Sequence, residues 1–242
     1  MLIIGSFIMR AAGCAWNDIL DRNIDKKTSR AKHRPIAAGK LSITEGIIFI
    51  FIMLFIGFLI LINLSIPAII ISLISIPLIV IYPLTKRVTF FPQVWLGITF
   101  NVGILVGYSC ISENYPNISV IILYIGAIFW TIGYDTLYAM QDYKDDLLTG
   151  VKSTAVKMHK YSGIFAAFSY IICTIIFCTA LILNDLNPLS IIIIIILGIW
   201  QILHALRTKI KDTSKFISGF NKSNICGFYI WVVMITDLYM LN

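Results

Sequence analysis

The chain has 242 residues; 59% are hydrophobic, only 13% are charged, and the mean hydropathy is +0.90. A soluble domain carries about a quarter charged residues, so the composition excludes a soluble enzyme, a disordered tail and a disulfide-stapled secreted domain, and leaves a polytopic membrane protein. The net charge of +7 would suggest nucleic acid in a soluble protein, but the positions of the basic residues give it another meaning.

A helical span needs about 20 mostly apolar residues. In chain order, such stretches fall near 1–20, 43–63, 66–84, 93–112, 119–140, 162–183, 186–206 and 223–241, so eight spans are predicted in a single membrane-embedded domain over 1–242. The isoleucine run 191–196 is β-branched and strand-like by propensity. An isolated strand in lipid leaves its backbone groups unpaired, so helix is predicted there too.

The connections alternate in charge. Segment 21–42 holds Arg22, Lys26, Lys27, Arg30, Lys32, Arg34 and Lys40. Lys86 and Arg87 follow the third span, Lys144, Lys152, Lys157 and Lys160 lie in 141–161, and Arg207, Lys209, Lys211, Lys215 and Lys222 lie in 207–222. These are all of the Lys and Arg except Arg10, and the intervening connections near 64–65, 113–118 and 184–185 have none. The basic side is therefore expected to be cytoplasmic, and no nucleic-acid partner is expected. Met1 leads directly into an apolar stretch with no basic flank, so no secretory signal is expected and the first span starts on the outside. Cys14, Cys110, Cys173, Cys178 and Cys226 form no CxxC pair, and His33, His159 and His204 are dispersed. Neither a zinc nor an iron–sulfur site is predicted.

Of the twelve acidic residues, seven fall in two groups at cytoplasmic ends of spans. The first is Asp18, Asp21 and Asp25, with Asn17 one turn before Asp21. The second is Asp135 followed by Asp142, Asp145 and Asp146. Spacings of three, four and seven place such residues on one helix face, and the second group is expected to continue the fifth span's helix. Like charges crowded near lipid need a compensating cation. Hard oxygen ligands suit Mg²⁺, which takes a few carboxylates together with phosphate oxygens. Two facing carboxylate helices could hold two or three ions against one diphosphate. The plain alternative is solvated helix ends paired with neighbouring Lys and Arg; repetition of the pattern favours the metal reading.

Arg22, Arg30, Arg34, Lys86, Arg87 and Lys152 lie near these groups, and such side chains suit phosphate oxygens. Lys26, Lys27 and Lys40 are read as topology signals alone. Arg10 lies about two turns inside the first span, where a charged residue is a functional candidate or one half of an intramembrane ion pair. Asn101, mid-span, is predicted to hydrogen-bond between helices. Pro67 and Pro77 are tolerated in the third span, and Glu113, Asp185 and Asp237 are read as outside-facing ends.

Two stretches carry a family resemblance. They are Arg10-Ala-Ala-Gly-Cys-Ala-Trp-Asn-Asp-Ile-Leu-Asp-Arg-Asn-Ile-Asp25, running on to Arg34-Pro35, and Tyr134-Asp-Thr-Leu-Tyr-Ala-Met-Gln-Asp-Tyr-Lys-Asp-Asp146, followed by Gly150-Val-Lys-Ser-Thr154. With Tyr82-Pro83, Lys86-Arg87 and Pro92-Gln93, they resemble the UbiA superfamily of intramembrane prenyltransferases, within it the 4-hydroxybenzoate polyprenyltransferases. The resemblance implies an all-α transmembrane bundle of nine helices around a central cavity. Eight are predicted here, and the first signature belongs to the family's second helix, so the family's first helix is expected to be missing.

The resemblance further implies Mg-dependent transfer of a polyprenyl group from polyprenyl diphosphate to 4-hydroxybenzoate in ubiquinone biosynthesis. The setting would be the lipid bilayer of the bacterial inner membrane, in preference to the mitochondrial one. In that reading Asn17, Asp21 and Asp25 hold one Mg²⁺ and Asp142 and Asp146 another, with Asp18, Asp135 and Asp145 close by. Arg30, Arg34, Lys152 and Tyr138 bind substrate, and Arg10 and Lys86 hold the aromatic acid's carboxylate or orient its ring. Asp142, Asp146 or the released diphosphate takes the ring proton. Two alternatives remain in view: a cation-coupled transporter, which would carry its acids near the bilayer midplane at broken helices, and an inactive truncated prenyltransferase.

Overall fold

A computed structural model describes residues 1–208 and 213–240, with side chains in the last stretch described for residues 223 and 225–237. The long helices are α1 (Leu2–Asp25), α2 (Ile43–Leu61), α3 (Ile66–Val88), α4 (Pro92–Phe100), α5 (Val102–Ser112) and α6 (Ile118–Ala139). The short α7 (Tyr143–Thr149) and α8 (Thr154–Met158) precede α9 (Ser162–Ile182), α10 (Pro188–Arg207) and α11 (Thr213–Met240). No strand occurs among the described residues, as the cost of unpaired backbone in lipid requires. Among the described residues, six segments are long and apolar enough to cross a membrane: α2, α3, α4 with α5, α6, α8 with α9, and α10. The protein is a multi-pass, all-helical membrane bundle.

The helix ends follow from their capping residues. Ser42 starts α2 through a capping box: its hydroxyl accepts from the Glu45 amide at 3.2 Å, and Glu45 accepts from the Ser42 amide at 2.7 Å. Asn117 and Asn187 cap α6 and α10. Gly150 ends α7 at φ +73°, a conformation that costs glycine little.

Three elements differ from expectation. The fourth span is broken at Asn101, whose amide donates to Gly97 O and Thr131 Oγ1, both at 2.8 Å, and reaches Ala127 O at 3.2 Å. It therefore does tie α4 to α6. The fifth span ends at Ala139, so Asp142 sits at the start of α7 and the second acidic group does not share one helix. The last helix starts at Thr213, ten residues before the predicted span. Asp237, read as an outside-facing end, is buried beside the connection before α10 and accepts from the Asn187 amide at 3.0 Å, pinning α11 to the start of α10.

Packing centres on α6 against α9. Gly126 and Gly133, seven apart on α6, let the rings of Phe177 and Tyr170 lie directly on the helix; a Cβ at Gly126 would stand 2.6 Å from Phe177 Cδ1. Small residues at such seams permit close backbone approach in lipid. Tyr170 is buried there, its hydroxyl 2.9 Å from Ser223 Oγ of α11. By contrast α2 packs chiefly on α1 and turns most of its surface to lipid.

Three basic connections meet at one end of the bundle. The Lys152 amide donates to Lys86 O at 2.9 Å, and Ser29 bonds to Asp145. Lys209 and Lys211, and the side chains of Lys215 and Lys222, lie outside the described residues. Replacing Gly126 with Val overpacks the α6–α9 seam, and thermal unfolding in detergent should show a loss of about 1–3 kcal/mol.

Candidate active site

The acidic end encloses a cavity of about 220 Å³. From α1 and the loop after it come Asn17, Asp25, Thr28, Arg30 and Arg34. The end of α3 adds Tyr82, Pro83 and Lys86, and the start of α4 adds Pro92 and Gln93. The α6–α8 region supplies Asp135, Tyr138, Asp142, Asp146, Lys152 and Ser153. Both acidic groups therefore face one space, although the second reaches it from two helices.

Each carboxylate is matched by a cation or donor from a different element. Arg34 Nη1 bridges Asp18 at 2.9 Å and Asp25 at 3.1 Å. Lys86 of α3 pairs with Asp21, which is completely buried, and Arg87 Nη2 stands 3.8 Å from the other oxygen of Asp21 while donating to Leu20 O at 2.6 Å. Arg30 forks onto Asp142 with contacts of 2.5 and 3.1 Å, touches the Tyr138 hydroxyl, and lies over its ring, 4.8 Å from the centroid. The plain alternative of ion pairing with neighbouring Lys and Arg is thus in part realised: Arg30, Arg34, Lys86 and Arg87 pair with Asp142, Asp18, Asp25 and Asp21. Asp146 accepts from Ser153 Oγ at 3.0 Å. Burial raises its carboxyl to about 6, against the pull of the Ser153 bond, so it is ionised fully only above that pH.

A model of the UbiA prenyltransferase family matches residues 1–231. The chain belongs to the UbiA prenyltransferase family. It is by family a prenyl-group transferase. The 4-hydroxybenzoate octaprenyltransferase of Haemophilus ducreyi is 34% identical over 239 residues, which is 99% of this chain and 86% of that protein. The mitochondrial 4-hydroxybenzoate polyprenyltransferase of Aedes aegypti is 45% identical over 153 residues, 63% of this chain but only 35% of that longer protein. Among solved structures, the apo form of a UbiA homologue from Aeropyrum pernix K1 superposes with a TM-score of 0.73 at 22% identity, covering 96% of this chain and 87% of that one. A UbiA homologue from Archaeoglobus fulgidus bound to GPP and Mg²⁺ gives 0.70 at 16% identity, covering 96% and 86%.

Not every predicted site residue of this UbiA-family chain reaches the cavity. Asn17, Asp25, Asp135, Asp142, Asp146, Arg30, Arg34, Lys86, Lys152 and Tyr138 line it. Asp18 and Asp21 stand behind the wall and hold Arg34 and Lys86. Asp145 turns away and accepts from Ser29. Arg10 is exposed on α1, 5.6 Å from the centroid of the Phe100 ring, which in turn packs edge-on against Tyr82 of the cavity wall at 6.0 Å. Arg10 is thus one aromatic layer removed from the space it was expected to enter.

The donor set fits Mg²⁺ with a diphosphate. Asn17, Asp25, Asp135, Asp142 and Asp146 present hard oxygens and no thiol or imidazole. Asp21 Oδ1 is buried with no hydrogen-bond partner. Among the described residues no three His, Cys, Asp or Glu side chains converge into an all-protein cage. Mg²⁺ takes one or two carboxylates and completes its shell with substrate oxygens and water.

Sequence reasoning passed over Gln93 as a site residue, although the Pro92-Gln93 pair was visible. Gln93 is buried, its Oε1 accepts from the Thr154 amide at 3.3 Å, and its side chain reaches Asp135. Behind it Thr136 and Thr154 share a hydroxyl contact of 2.8 Å. The signal was positional: a polar residue just after the Pro that starts a helix at the acidic end.

The buried pair makes a prediction about stability. Lys86→Met should cost about 3 kcal/mol, the low end for an orphaned buried charge, because Arg87 remains close. Adding Asp21→Asn to Lys86→Met removes that charge and should restore most of the loss. Thermal unfolding of purified protein reads both.

Proposed function

We propose that this chain transfers a polyprenyl group from its diphosphate to the ring carbon ortho to the hydroxyl of 4-hydroxybenzoate, in ubiquinone biosynthesis. The observation that carries the reading is a single cavity shared by carboxylates of α1 and of α6–α7 and by Arg30, Arg34, Lys86 and Lys152. The named activities of the H. ducreyi and A. aegypti relatives support the aromatic acceptor. A transporter would place acids at its broken helix; the break here carries Asn101, and the acids lie at one end.

Asn17 and Asp25 on one wall and Asp135, Asp142 and Asp146 on the other would hold Mg²⁺. The bound metal supplies charge neutralisation for the departing diphosphate. Arg30, Arg34 and Lys152 bind phosphate oxygens as the bond from prenyl carbon to oxygen breaks and its electron pair leaves with the diphosphate. The allylic cation meets Tyr82 and Tyr138, whose ring faces stabilise positive charge, in a space whose apolar lining includes Ile24, Pro83, Pro92 and Val151. The phenol ring attacks the allylic carbon, and Asp142, Asp146 or the released diphosphate accepts the ring proton. The prenyl tail lies along the apolar helices and leaves into lipid. The six apolar segments fit a bacterial inner membrane, with the acidic end facing the cytoplasm by the positive-inside rule.

Two outcomes test this reading. Membranes carrying the chain should transfer prenyl groups to 4-hydroxybenzoate, lose that activity in excess EDTA and regain it with Mg²⁺; undiminished turnover in EDTA overturns the metal role. Arg34→Ala should raise the KM for prenyl diphosphate about 10- to 150-fold, the range for a lost hydrogen bond of about 1.5–3 kcal/mol to a charged group. Arg10→Ala, at a side chain exposed and separated from the cavity by Phe100 and Tyr82, should leave both KM values near wild type. A selective rise in the KM for 4-hydroxybenzoate in Arg10→Ala would show that the aromatic acid reaches Arg10 after all.

A further inference from the structure

Asp145 is the one carboxylate of the two groups that bonds to neither a Lys nor an Arg and does not line the cavity. A single oxygen, Oδ2, accepts from the Ser29 amide at 2.8 Å and from the Ser29 hydroxyl at 2.7 Å. Two bonds from one residue to one carboxylate fix that residue's backbone relative to α7, and charge-assisted bonds are the stronger kind. The next side chain along is Arg30. Its fork on Asp142 and its seat on the Tyr138 ring carry the loop after α1 across the cavity mouth. Arg34 ties the far end of this stretch to Asp18 and Asp25 of α1; between the two ends Lys26, Lys27, Lys32 and His33 are exposed, and the regular structure is a single 3₁₀ turn at Ala31–His33.

We propose that Asp145 is not a metal ligand but the anchor of a clasp that, through Ser29, positions Arg30 over the cavity mouth to receive the diphosphate. The diphosphate part of this proposal rests on the prenyl-transfer reading above. A guanidinium held at its target gives up less freedom on binding than a free one. Asp145 and Ser29 are therefore positioning residues. Their loss should act on substrate affinity rather than on turnover, and they should act as one unit.

The test uses the full chain in lipid nanodiscs. Amide hydrogen exchange is followed over 27–34, and binding of inorganic diphosphate in the presence of Mg²⁺ is measured by calorimetry. Asp145→Ala should raise exchange over 27–34 while leaving α6 and α9 unchanged, and should weaken diphosphate binding about 10-fold. Ser29→Ala, which keeps the amide bond, should weaken binding about 3-fold. The double variant should match Asp145→Ala alone, because the hydroxyl bond cannot be lost twice. Ser29→Thr should keep near-normal affinity, and kcat at saturating prenyl diphosphate should stay within about 2-fold in every variant. Unchanged exchange in Asp145→Ala overturns the clasp. So does a loss of Mg²⁺-dependent binding in Asp145→Ala that Ser29→Ala does not share in any degree, which marks Asp145 as a ligand. A wild-type chain that binds no diphosphate with Mg²⁺ overturns the functional reading instead; the exchange measurement then still decides whether Asp145 holds the loop.

Discussion

Asp21 is fully buried, and Lys86 from another helix is what makes that tolerable. A bare carboxylate in a low-dielectric interior is costly, and a partnered one constrains whatever carries the partner. At this end of the bundle the constraint repeats. Arg34 spans Asp18 and Asp25, and Arg30 crosses from the first loop to Asp142. The position of α3 against α1, and of the first loop against α6 and α7, therefore follows from charge matching at least as much as from apolar packing. The same residues are the ones a diphosphate would engage, so stability and chemistry draw on one set of charges.

Most of the fold is legible in the sequence because its signal is length. A run of about 20 apolar residues in lipid has few ways to exist other than as a helix, and the starts of α2, α3, α6 and α9 fall within a residue of expectation. What escapes is where a long helix breaks. Asn101 does not interrupt the hydropathy pattern; its side chain competes for Gly97 O and for Thr131 of α6, and only the three-dimensional neighbour decides that. The end of α6 is similar. Asp135 and Asp142 are seven apart, a helical spacing, yet the chain turns after Ala139, and Asp142 opens a separate short helix.

The site was legible as a composition of residue types and less so as a geometry. Spacing identifies which acids share a helix face but not whether a face meets a cavity or a neighbouring loop. Asp145 and Asp146 are adjacent in sequence and point to different partners, Ser29 and Ser153. Arg10 is on the same helix as Asp21, but an aromatic pair, Phe100 and Tyr82, lies between it and the cavity. Gln93 carries no charge and no periodic signal, and its position behind Asp135 is a product of how α4 meets α6.

The isolation of α2 has a mechanical consequence. A helix that packs chiefly on one neighbour and otherwise meets lipid adds little resistance to that neighbour's movement. The α1–α2 hairpin is therefore held to the remainder mainly by α1–α3 packing and the polar ties at its acidic end, whereas Asp135 stands on the glycine-tightened α6–α9 block. One wall of the cavity rides on a compliant element and the other on a stiff one. Substrate entry between them then needs no unfolding of the core, only a local release of ties that the incoming anion itself competes for.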